Sequence, residues 1–98
     1  MLSLLFALTI TGDPLTDLAQ LRTDTQAVTL APSYKALLVN IVDAAILRVQ
    51  QGRPAAAVTL LRSYNNYVTK FVASGALSAA DGQLLLDESN AIIGELSP

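Results

Sequence analysis

The sequence predicts an all-α fold, an up-down bundle of four helices, and three observations carry that expectation. Apolar residues recur at helical spacing over most of the chain. Proline or a capping side chain opens the periodic runs, and glycine closes two of them. The turns between runs are short, which makes sequential helices antiparallel neighbours.

The central element is a helical hairpin. In Leu47-Arg48-Val49-Gln50-Gln51-Gly52-Arg53-Pro54-Ala55-Ala56-Ala57 a periodic run stops at Gly52 and a second starts at Pro54. Glycine just past a helix end and proline just inside a helix start are the expected asymmetry of helix boundaries. Before this hairpin, Gly12-Asp13-Pro14 opens a first helix, with Asp13 as its cap. Leu18, Leu21 and Val28 form its thin apolar stripe, and Asp17, Arg22 and Asp24 are expected outside it. Its threonines, Thr16, Thr23 and Thr25, make it the weakest helix former of the four.

The second helix is expected at about residues 33–51. Tyr34, Leu37, Leu38, Ile41, Ala44 and Ala45 form its core side, widened by Val42, Ile46 and Val49. Lys35, Asn40, Asp43 and Arg48 take the polar side, where Asp43 is placed to pair with Lys35, Arg48 or Arg62. In the third helix Ala57, Leu61, Tyr64, Val68 and Phe71 follow the helical period up to a stop at Gly75. Ser78 caps the fourth, with Asp81 in its first turn at the positive helix end. Leu84, Leu85, Ile92 and Leu96 are its expected core side, while Gly82 and Gly94 each weaken it by about 1 kcal/mol relative to alanine.

Residues 1–11, MLSLLFALTIT, form an apolar opening of a different character. The run is too short to cross a bilayer as a helix. It lacks the basic start and small-residue cleavage site of a secretory signal. It reads as an extended or helical segment that packs on the domain, or as the last strand of an upstream domain, with an incomplete signal peptide as the remaining alternative. Residues 12–98 then form the bundle domain.

Composition narrows the function. The 98 residues carry a net charge of -2, with 52% hydrophobic and 14% charged residues, which suits one well-filled core. Six scattered basic residues make no stripe for nucleic acid. The absence of cysteine excludes disulfides and thiolate metal sites. The absence of histidine removes the commonest general base and metal ligand. No nucleophile or acid–base pair stands out, so a non-catalytic protein without cofactor or metal is expected.

The hairpin and its surroundings resemble the FIMAH domain, a small helical accessory module. Leu37-Leu38 with Val42-Asp43-Ala44-Ala45 resembles that family's Leu-Leu-x-x-Leu-Asp-Ala-Ala segment. Gln51-Gly52-Arg53-Pro54 occupies its turn, and Ala57, Leu61, Tyr64 and Val68 resemble its third-helix pattern. Gly75-Ala76-Leu77-Ser78-Ala79-Ala80-Asp81 looks like the loop before its last helix, and Asn90-Ala91-Ile92-Ile93 like its closing motif. The match spans about residues 13–96 and leaves the opening 1–11 unexplained. The resemblance implies a non-catalytic module of large secreted bacterial proteins, many of them polysaccharide-degrading enzymes or peptidases. An extracellular or cell-surface location follows from it, as does a neighbouring domain of a larger protein as partner.

The candidate contact residues are Asn66, Tyr67 and Lys70, which share one helix face at i, i+3 and i+4 spacings. An aromatic ring beside an amide is the chemistry of sugar recognition, since ring faces stack and amides both donate and accept. The competing reading makes Tyr64 core, Tyr67 its wet edge and the asparagines solvent-facing; the lack of tryptophan favours it. Asp81 is read as a helix-terminus acid, and Asp87 and Glu88 as solvated, because no loop offers the oxygen ligands calcium needs. Two functions follow. One is an accessory module making glycan or protein contacts or spacing its neighbours. The alternative is a self-standing interaction domain that dimerises through residues 1–11.

Overall fold

A computed structural model describes residues 13–97 and shows four α-helices: α1 (Pro14–Ala27), α2 (Pro32–Gln50), α3 (Pro54–Ala73) and α4 (Ala79–Leu96). The apolar opening 1–11 lies outside the described residues. The fold is an all-α bundle in which each helix packs on its neighbour in sequence and α1 also packs on α4, closing the ring. No helix among the described residues is long and apolar enough to cross a membrane.

Local punctuation sets the helix ends. Proline opens α1, α2 and α3. Its missing N–H costs nothing in a first turn, where amides have no helical partner. Asp13 caps α1, accepting from the Leu15 amide at 3.3 Å and from the Thr16 hydroxyl at 2.7 Å. The Ser78 hydroxyl caps α4 by accepting from the Asp81 amide at 3.1 Å. Helices α2 and α3 both end in Schellman turns. Gly52 (φ 73°) and Gly75 (φ 82°) take the left-handed conformation that an L side chain resists. The amides of Arg53 and Ala76 then reach back to the carbonyls of Arg48 and Phe71 at 2.8 and 2.9 Å.

The core forms around α3, whose buried residues are Ala57, Leu61, Tyr64, Val68 and Phe71, the set its sequence period predicts. Leu38, Val42 and Ala45 of α2, Leu85 and Ile92 of α4, and Leu18 and Leu21 of α1 are fully buried with them. Ala45 and Ala57 are both sealed from solvent. Their small side chains suit a close approach of α2 and α3.

Several positions differ from expectation. Tyr34 is 43% exposed rather than core, because it sits in the first turn of α2, at the end of the bundle. Leu84 is only half-buried; the inner face of α4 is Gly82, Leu85, Glu88, Ser89 and Ile92. Asp43 pairs with Arg22 across α1 and α2 at 2.7 Å, not with Lys35, Arg48 or Arg62. Lys35 instead donates to the Gln26 carbonyl at 2.9 Å, placing a cation at the negative end of α1.

The two α4 glycines play opposite parts. A Cβ at Gly82 would run into the Val72 side chain of α3, whereas one at Gly94 would meet open space. The stiff, branched valine cannot swing aside freely. Gly82→Ala should therefore destabilise the protein by about 1–3 kcal/mol despite its better helix propensity. Gly94→Ala should be neutral or stabilise by up to about 1 kcal/mol. Chemical denaturation of the two variants checks this contrast, and a stabilised Gly82→Ala would contradict it.

Candidate functional site

Two constellations stand out, one buried and one exposed. The buried one lies in the seam between α1 and α4. Asp17 and Asp24, two turns apart on α1, are 1% and 3% exposed. Glu88 of α4 is 3% exposed, and Ser89 beside it is fully buried. The sequence reading that put Asp17, Asp24 and Glu88 in solvent is therefore corrected. Each stands at a core register position: Asp17 and Asp24 bracket Leu18 and Leu21, and Glu88 stands between Leu85 and Ile92. The thinness of the α1 stripe was the available signal. Two leucines cannot cover a helix face that packs against two neighbours, so other side chains must fill it.

Among the described residues, Asp24, Glu88 and Ser89 have few polar contacts. Asp24 Oδ1 accepts from Gln20 Nε2 at 2.9 Å, while its Oδ2 has no donor. Neither oxygen of Glu88 receives an N–H or hydroxyl hydrogen bond, and the Ser89 hydroxyl is unpartnered. What Glu88 does meet is the Asp24 carboxyl. Two carboxylates are acceptors only, so a hydrogen bond between them requires a proton on one. Burial, the Asp24 carboxyl and then Asp17 push Glu88 up to about 9. Among the described residues no three acidic side chains converge as metal ligands.

Tyr64 borders this seam from α3. It is fully buried, and its hydroxyl lies 2.8 Å from Thr25 Oγ1, a tie across the bundle to α1. Thr25 itself donates to the Leu21 carbonyl at 2.7 Å, which leaves its oxygen to accept from the phenol. Burial raises the phenol far above its ordinary range. The Thr25 hydrogen bond offsets this in part, and Glu88 and Asp24 add to the rise. Tyr64 is therefore a neutral donor, not an acid.

The exposed constellation is aromatic. Tyr67 and Lys70 come together on α3, with Lys70 Nζ 5.8 Å from the Tyr67 ring centroid, and Asn66 is exposed beside them. Tyr67 is half-buried and stacks on Phe71 at 6.2 Å. The other face of this arrangement comes from α2, where Tyr34 stacks on Phe71 at 4.6 Å with the rings 20° from parallel. Sequence reasoning missed Tyr34 as a surface group, because it was assigned to the core stripe. Asn65, expected in solvent, is half-buried and donates to Asn90 of α4 at 2.9 Å.

No family model matches this chain, and no curated protein or solved structure matches it either.

The seam makes stability depend on pH. The folded Glu88 carboxyl holds its proton up to about 9, whereas an unfolded one releases it near 4.5. The folded state therefore binds more protons in that window, and stability must fall as pH rises through it. The slope should approach about 1.4 kcal/mol per pH unit at most. Glu88→Gln should flatten the profile. Urea unfolding followed by circular dichroism across the window measures both, and a wild-type profile that rises with pH would contradict the assignment.

Proposed function

We propose that this chain is a non-catalytic contact module that offers the aromatic surface of Tyr34, Tyr67 and Lys70 to a glycan or protein. One observation carries the reading: Tyr34 is 43% exposed and its ring stacks on Phe71. An exposed tyrosine held in place by a stacked neighbour is suited to stacking against the apolar face of a sugar or an aliphatic side chain. Lys70 adds a cation, and Asn66 an amide that donates and accepts. The FIMAH-like residue pattern supports placing this module in a secreted bacterial multidomain protein, at the cell surface or outside it, beside a larger neighbour.

The apolar run 1–11 favours a second reading, a self-standing domain that dimerises through it. Deleting 1–11 should then turn a dimer into a monomer in light scattering, and an unchanged mass would sink that reading.

The contact surface is tested by electrophoresis through gels containing a panel of polysaccharides, and by capture of the neighbouring domain. Tyr34→Ala and Tyr67→Ala should each weaken retention by about tenfold or more, the scale of losing one stacked aromatic contact. Retention equal to wild type in both variants would remove this surface from consideration.

A further inference from the structure

We propose that the outer groove between α3 and α4 is a twofold interface, in which a second copy of this chain lies antiparallel across the first about an axis through the Asn65–Asn90 pair.

The groove is continuous on both walls. On α3, Ala55, Val58, Arg62, Asn65, Thr69 and Val72 recur at alternating three- and four-residue steps. On α4, Ala79, Gln83, Leu86, Asn90, Ile93 and Ser97 do the same. The two walls run in opposite directions, since Asn65 meets Asn90 and a Cβ at Gly82 would meet Val72. A cavity of about 450 Å³ opens towards the start of α3, with Pro54, Ala55, Val58, Arg62 and Leu96 in its lining. A second, of about 300 Å³, opens towards the start of α4, with Val72, Ala73, Ala79, Gln83 and Leu86 in its lining. Between them Asn65 donates to Asn90, which is itself exposed. Ala55, Ala73 and Ala79 are exposed and small, which lets a partner's helices approach closely.

Charge selects the occupant. α3 has no acidic residue and α4 no basic one. Arg62 is exposed, lines the first cavity and forms no ion pair among the described residues. Asp87 is exposed at the rim of the second cavity, where Gln83 donates to it at 2.7 Å. Each charge lies three residues before the asparagine of its own helix. Because the helices are antiparallel, the two stand on opposite sides of the asparagine pair, each about 4.5 Å along the groove from it. A twofold axis crossing the groove at right angles there exchanges its halves. It brings Arg62 of each copy to the level of the other copy's Asp87, where the long arginine side chain can reach across. It also sets the larger cavity of each copy opposite the smaller cavity of the other. Every such contact is made twice, as in any isologous pair. A foreign partner would have to match this order of signs by coincidence, whereas a second copy supplies it by symmetry. A face about 30 Å long and about 20 Å wide offers roughly 600 Å² per copy, the size of a weak and reversible pairing. The interface uses neither Tyr34, Tyr67 and Lys70 nor residues 1–11, so it is independent of both readings above.

Sedimentation velocity of the whole chain over a range of concentrations tests the interface. The mass should rise from one copy to two as concentration increases. Arg62→Glu and Asp87→Lys should each weaken the pairing by about tenfold or more, because each change touches two symmetric contacts. Combining them restores the attraction with the signs exchanged, so the double variant should pair nearly as well as wild type. Both positions are exposed, and circular dichroism checks that each variant keeps its helices. Deleting residues 1–11 should leave the pairing unchanged. A chain that stays monomeric at every concentration, a dimer indifferent to either reversal, a double variant that stays weak, or a dimer lost with residues 1–11 would each overturn the proposal.

Discussion

Burying Asp17, Asp24 and Glu88 in the seam between α1 and α4 is the constraint to which the rest of the bundle must answer. A carboxylate moved out of water is expensive, and the usual remedy is an adjacent cation. Here the charges acting on Glu88 are both negative, so the remedy is to keep a proton. That choice requires a neutral neighbour on α3, which Tyr64 supplies, and a hydroxyl on α1 to engage its phenol, which Thr25 supplies. It also requires apolar burial elsewhere to carry the stability. The α2–α3 hairpin meets that need, with interior positions of Leu, Val, Ala, Tyr and Phe.

The molecule thus divides into an apolar hairpin and a polar seam. Backbone devices that do not depend on ionisation end α2 and α3: proline starts, left-handed glycines and reach-back amides. Gly82 lets α4 lie close against Val72 of α3, so α4 joins the apolar packing along that edge. Its opposite edge meets α1 through polar side chains. Replacing such buried polar groups with apolar ones of similar volume often stabilises a protein. A seam built this way is thus not what selection for stability alone would produce.

The helices were legible in the sequence because their boundaries are written in residues with local effects. Pro14, Pro32, Pro54, Gly52, Gly75 and Ser78 act on the chain within a turn of themselves, so no tertiary knowledge is needed to place them. The interior of α3 was legible because every inward position is apolar or aromatic. The acidic seam was not. Charged residues are assigned to solvent by default, and only their register, in line with Leu18, Leu21, Leu85 and Ile92, opposes that assignment. Asn66, Tyr67 and Lys70 were legible as neighbours on one helix, since i, i+3 and i+4 spacings need no partner. Tyr34 escaped because its exposure depends on where α2 begins relative to the end of α3, a distance of many residues along the chain.

The stacking of Tyr34 on Phe71 has a kinetic and entropic meaning beyond its contact area. A free surface tyrosine samples several rotamers and must surrender them when something binds. This one has already surrendered them during folding, at the expense of the apolar core beneath it. If the proposed contact is made there, the molecule that makes it meets a surface whose ordering cost has been met in advance, and even a small contact keeps more of its gross attraction as affinity.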